Sequence, residues 1–217
     1  MRRLLHFPLS PFCRKVRLVL GEKKLAYEAT AVKPWEQQRT LTTLPELVET
    51  DGCVITDARA IAEYLDEVAK DPPLLAPQPT VRAEARRWVN FFDERFWLAV
   101  TSVILDERVF KRFDPLRERQ PDLARLKQAQ QTLRDNMGLI ERHFETAESF
   151  AGATNLADLS AASHFSCLDY FGDVPWKEFK FCREWYARIK SRPSFRTLLV
   201  DGLPGFPPSE HYQDLDF

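Results

Sequence analysis

The chain opens on a short apolar run, Leu4-Leu5-His6-Phe7, of the length and character of a buried strand. A helix follows directly. Ser10 can cap its first free amides, and Pro11 suits the first helical position, where a missing N–H costs nothing. Cys13, Val16 and Leu20 then recur at helical spacing on one face, with Arg14 and Arg17 on another. Residues 21–25 can stop that helix, and residues 26–32 alternate in the manner of a strand. Residues 33–43 are polar and irregular apart from Trp35. Two short apolar runs on either side of Asp51-Gly52 predict a hairpin, and residues 57–68 predict a helix with Ala58, Ile61, Ala62 and Leu65 on one stripe. This order, β-α-β, a loop, then β-β-α, is that of a thioredoxin-like domain.

Beyond a proline-rich stretch at 71–80 the strand signals vanish. Trp88, Phe91, Phe92, Phe96 and Val100 recur at helical spacing, as do Leu126, Leu133, Met137, Ile140 and Phe144. Such stripes predict helices packed on a core. Asn155, with Asp158 three residues on, reads as a variant capping box. Residues 159–171, apolar on nearly every side, predict a central buried helix, and a last long helix runs through Phe179, Cys182, Tyr186 and Ile189. The expected organisation is α/β followed by all-α: a thioredoxin-like domain over 1–72, a linker over 73–80, helices over 81–200 and a tail over 201–217.

Composition narrows the function classes. A net charge of −1 gives no footprint for nucleic acid or an anionic membrane surface. No stretch approaches membrane-spanning length, so a cytoplasmic location is expected. Cys13, Cys53, Cys167 and Cys182 form no CxxC pair and the four histidines no HExxH pattern; reduced thiols and no metal site are the expectation. Cys13 sits near a helix start with basic neighbours, which favours thiolate, but it shares the Val16/Leu20 face, which favours a buried structural cysteine.

Ser10-Pro11 with Arg14-Lys15-Val16-Arg17, Leu44-Pro45-Glu46-Leu47, Asp51-Gly52, Ala60-Ile61 with Tyr64-Leu65, Asn155-Leu156-Ala157-Asp158, Trp185-Tyr186 and Arg192-Pro193-Ser194-Phe195 occur in that order. In this order and spacing the chain resembles the glutathione S-transferase superfamily. The resemblance implies that superfamily's fold, a homodimer and a glutathione site at the domain junction. It places Ser10 where such enzymes stabilise the glutathione thiolate, and Leu44-Pro45 where the bond is cis. Ser10 can equally serve as a helix cap alone. At the third-helix start the usual Glu-Ser is Asp57-Ala58, so a hydroxyl is missing from the positions Ser10, Leu44, Pro45, Asp57 and Ala58 that make the site.

Within the superfamily the resemblance is strongest to a branch of bacterial division proteins that bind the tubulin-like polymer FtsZ. It implies a non-catalytic protein of the division site without cofactor, partnered by FtsZ or another division protein. The alternative is a transferase joining glutathione to small electrophiles, with Ser10 as its catalytic residue. Trp35 and the tail residues His211, Tyr212, Asp214, Leu215, Asp216 and Phe217 are the candidate partner contacts, the terminus pairing aromatic with acidic groups. The tail's polar, proline-flanked character also predicts that removing 209–217 leaves folding nearly intact.

Overall fold

The computed structural model describes residues 1–36, 44–114 and 120–215. Strand β1 (Arg2–His6) lies between two neighbours, parallel to β2 (Tyr27–Ala31) and antiparallel to β3 (Glu46–Val48). The hairpin predicted around Asp51-Gly52 adds β4 (Val54–Thr56), giving the order β2-β1-β3-β4. Gly52 takes φ 89°, a left-handed conformation that a glycine adopts without steric cost. Helix α1 (Pro11–Glu22) begins as its sequence predicts: the Ser10 hydroxyl accepts a hydrogen bond from Cys13 N at 3.3 Å, and Pro11 occupies the first turn. Helix α2 (Ala58–Val68) buries Ala58, Ile61, Ala62 and Leu65, the predicted stripe.

The helical part starts with α3 (Pro79–Asn90). Here the 3.6-residue reading of the aromatic stripe fails in detail. Residues Phe91–Thr101 are π-helical, as are Asp106–Phe110, separated by the short α4 (Ser102–Leu105) and followed by α5 (Lys111–Phe113). Phe92, Phe96 and Val100, four residues apart, have no exposed surface, and Asp93 is buried next to Phe92. Helix α6 (Leu123–Phe144) buries Leu133, Met137, Ile140 and Phe144. Helix α7 (Leu156–Tyr170) is buried along its whole length, as its apolar circumference predicts.

The Asn155/Asp158 capping box forms, and Asp158 does more than cap. It also accepts from Phe150 N at 3.2 Å and from Trp185 Nε1 at 2.8 Å, tying α7 to α8 (Lys180–Lys190). Burial pushes its carboxyl up to about 6, against the pull of those donors.

The Arg192-Pro193-Ser194-Phe195 motif has a physical reason. Glu22, ending α1, accepts from Arg192 at 2.8 and 2.6 Å and from the Ser194 hydroxyl at 2.5 Å, just before α9 (Arg196–Leu199). Gly21 permits this approach: a Cβ there would lie 2.8 Å from Ser194 Cβ. The first and last thirds of the chain are thus clamped together around α7.

Candidate functional site

The start of α2, the N-terminal turn of α1 and the π-helical stretch converge on a cleft of about 290 Å³. Its lining combines the apolar residues Phe12, Leu44, Ala58 and Trp97 with the charged residues Asp57, Arg59, Asp93 and Glu94. Phe12 and Trp97 meet edge to face with ring centroids 4.9 Å apart. Asp57 holds φ at 71°, a left-handed conformation that costs a non-glycine residue energy. Its carboxylate offsets that cost by capping α2, accepting from Arg59 N at 2.8 Å and Ala60 N at 3.1 Å. The Arg59 guanidinium reaches Glu94 at 3.3 Å and comes within 4.0 Å of Asp93.

Beneath this surface runs a buried polar network joining the two halves of the molecule. The Lys15 ammonium, from α1, bonds to Asp93, whose other oxygen accepts from the Ser160 hydroxyl of α7 at 2.6 Å. His164 lies behind, with Nδ1 2.9 Å from the Thr101 hydroxyl and Nε2 3.8 Å from Asp93. Burial opposes ionisation of Asp93, but the Lys15 charge, with His164, outweighs it and holds the carboxyl well below the usual range. Burial also depresses His164, despite the neighbouring Asp93.

A family profile described as the glutathione S-transferase N-terminal domain matches residues 4–73. The chain is 46% identical over 226 residues to FtsZ-localized protein A of Caulobacter vibrioides (strain NA1000 / CB15N), covering 100% of this chain and 98% of that protein. The chain belongs to the glutathione S-transferase superfamily. Two solved structures share its architecture over the whole chain. FzlA from C. crescentus superposes with a TM-score of 0.93 at 46% identity, covering 100% of this chain and 99% of that one. A glutathione S-transferase from Rhodospirillum rubrum F11 superposes with a TM-score of 0.92 at 41% identity, covering 100% of both chains.

Within this transferase fold the sequence-predicted positions separate. Leu44, Asp57 and Ala58 line the cleft, and the Leu44–Pro45 bond is cis, as is Asp71–Pro72. Ser10 does not line it. Its hydroxyl is fully buried and spent on capping α1, and Phe12 is the α1 residue that faces the cleft. Cys13 is the buried structural cysteine of the two readings: its sulfur accepts from Phe7 N at 3.3 Å, and burial pushes its thiol up to about 11.

Trp35 is half-buried against its own chain. It stacks on Phe113, 5.3 Å between centroids, and meets Phe7 and Phe110 edge-on.

The tail corrects the sequence reading most. Tyr212, expected at a partner surface, has no exposed area. Its ring packs on Tyr170 at 5.2 Å, its hydroxyl donates to Leu198 O at 3.0 Å, and burial pushes that hydroxyl up to about 12. His211 is partly exposed with Nε2 2.9 Å from the buried Asp169, and its carbonyl accepts from Lys190 at 3.2 Å. Asp214 and Leu215 are exposed, and Asp216 and Phe217 lie outside the described residues. Sequence reasoning missed Phe12, Lys15, Arg59, Asp93, Trp97 and His164. The one available signal was an acidic residue inside the aromatic run Phe91-Phe92-Asp93-Glu94-Arg95-Phe96-Trp97.

Proposed function

We propose that this chain is a homodimeric, non-catalytic component of the bacterial division machinery that binds FtsZ polymers in the cytoplasm at the division site. The observation that carries this reading is the 46% identity to FtsZ-localized protein A, spread over the full length of both proteins. The site adds support. Ala58 supplies no hydroxyl, and the Ser10 hydroxyl is buried in a helix cap. In this reading Tyr212 anchors the tail while Asp214 and Leu215, with Asp216 and Phe217, present carboxylates and apolar area to the polymer. Trp35, held by its own aromatic neighbours, offers only its remaining exposed edge.

The test is co-sedimentation with FtsZ polymers. The unaltered chain is expected to pellet with them, and Asp214→Lys with Leu215→Ala to lose most of that association at an unchanged thermal midpoint. A chain that never pellets with FtsZ overturns the reading; full pelleting of the variant removes the tail's part in it. Sedimentation at micromolar concentration tests the dimer.

A second reading, conjugation of glutathione to small electrophiles, draws on the 41% identity to the Rhodospirillum rubrum protein, described as a glutathione S-transferase. Calorimetry separates the two. The unaltered chain is expected to bind glutathione with a millimolar or poorer constant. Asp57→Glu with Ala58→Ser restores one charge-assisted hydrogen bond, about 1.5–3 kcal/mol, or roughly ten- to a hundredfold in affinity. Tight binding by the unaltered chain, with turnover abolished by Ser10→Ala, would favour the transferase.

A further inference from the structure

We propose that the row of half-buried rings Trp35, Phe113, Phe206 and Phe171, with the Arg112 guanidinium upon it, is the face that receives a carboxylate-bearing segment of the FtsZ polymer. This rests on the division reading and names a surface that serves it.

The rings converge from four parts of the chain. Trp35 lies beyond β2, Phe113 ends α5, Phe171 caps α7 and Phe206 belongs to the tail. Successive centroids are 5.3, 6.1 and 6.1 Å apart, and every ring keeps part of its area exposed. Phe206 is held in place: its N donates to Leu203 O at 2.9 Å, and its carbonyl accepts from the Tyr170 hydroxyl at 2.5 Å. Aromatic area fixed in advance loses little freedom on binding. Aromatic residues and arginine are also the groups that protein interfaces favour.

The second observation is a charge without a counterion. Arg112 is exposed, and its guanidinium lies 4.4 Å from the centre of the Phe206 ring and 5.9 Å from that of Phe113. Among the described residues it makes no hydrogen bond or ion pair. Its neighbours are already matched: Arg108 bonds to both oxygens of Asp173 at 2.7 and 2.6 Å, and Lys111 pairs with Glu107 at 2.9 Å. A guanidinium resting on a ring uses its face and leaves its fork of N–H donors at the edge. A carboxylate meets that fork with two parallel bonds.

Together these select the partner. One unmatched guanidinium suits one carboxylate, whereas a nucleic-acid strand is held by a track of cations, and Arg108 and Lys111 are already paired. Four rings in a row offer more apolar area than one small acid covers. They suit a polypeptide that seats apolar side chains along the row and an aspartate or glutamate on Arg112.

Co-sedimentation of the full chain with FtsZ polymers, read as an affinity, tests this. Arg112→Glu is expected to weaken association by about tenfold or more at an unchanged thermal midpoint, one charge-assisted bond being lost and repulsion added. Arg112→Lys keeps the charge without the fork and should fall between that variant and the unaltered chain. Added salt should weaken the unaltered chain more than Arg112→Gln. A chain that never pellets with FtsZ sinks the division reading and this surface with it. Pelleting by the unaltered chain that a folded Arg112→Glu matches overturns the surface and leaves that reading intact. Should Arg112→Glu fail to fold, Arg112→Gln decides, with an expected loss of about fivefold.

Discussion

Deleting residues 209–217 is expected to destabilise the protein severely, and Tyr212→Ala alone to remove about 3–5 kcal/mol, the usual range for emptying a buried aromatic site. The tail is a structural strap. Ser209 donates through its backbone to Tyr170 O at 2.8 Å and through its hydroxyl to Asp169 O at 2.7 Å. Tyr212 fills a pocket floored by Tyr170, with the Arg14 guanidinium and the Lys190 ammonium each 5.9 Å from its ring centre. Without the tail, Lys190 loses the His211 carbonyl and Asp169 loses the His211 ring, and the pair keeps only its mutual contact at 3.6 Å among these. Tyr212→Phe keeps the packing and gives up only the bond to Leu198 O, so about 0.5–1.5 kcal/mol is expected. Urea denaturation of the three variants tests the ordering. A deletion with the stability of the full chain would return the tail to the role of a loose appendage.

The contrast with the polar, proline-flanked sequence of that tail shows where local reading stops. Elements whose signal is local were legible: the Ser10-Pro11 start, the Asp51-Gly52 hairpin, the Asn155/Asp158 box and the apolar circumference of α7 all form. The fate of Tyr212 depends on Tyr170 and Leu198, residues that no spacing rule connects to it. Trp35 is similar, since its partners Phe110 and Phe113 come from the far end of the helical run. The candidate cleft was half legible. Leu44, Asp57 and Ala58 carry the family pattern, whereas Asp93 lies in a run whose helical spacing marks only its apolar residues. The inward side chain of Asp93 is met by Lys15 of α1 and by Ser160 and His164 of α7, residues that no spacing rule connects to it.

Asp93→Ala is expected to cost about 3–5 kcal/mol, because it strands the Lys15 ammonium in the interior and leaves the Ser160 hydroxyl without its acceptor. Lys15→Met should cost a comparable amount by stranding the carboxylate. The double variant, Lys15→Met with Asp93→Leu, removes both charges and fills the space, so it should lose much less than the two single losses together. The pH dependence separates a charge effect from a packing effect. The folded carboxyl of Asp93 is held below its unfolded value of about 3.9, so the unfolded chain binds the proton more readily. Its contribution is therefore fully present above roughly pH 5 and is lost as the pH falls through the unfolded and then the folded value. The depressed His164 acts in the same direction, starting below about 6.5. Asp158, raised to about 6, opposes both: between its unfolded value of about 3.9 and 6 it lowers stability as pH rises. Subtracting the Asp93→Asn profile from that of the unaltered protein cancels Asp158 and leaves the carboxylate with its Lys15 and His164 couplings. That difference should be flat from pH 7 to about pH 5 apart from the His164 coupling, and shrink below about pH 4. A difference that stays constant to acid pH, together with additive single variants, would reduce the Lys15–Asp93 pair to filler between α1 and the helical domain.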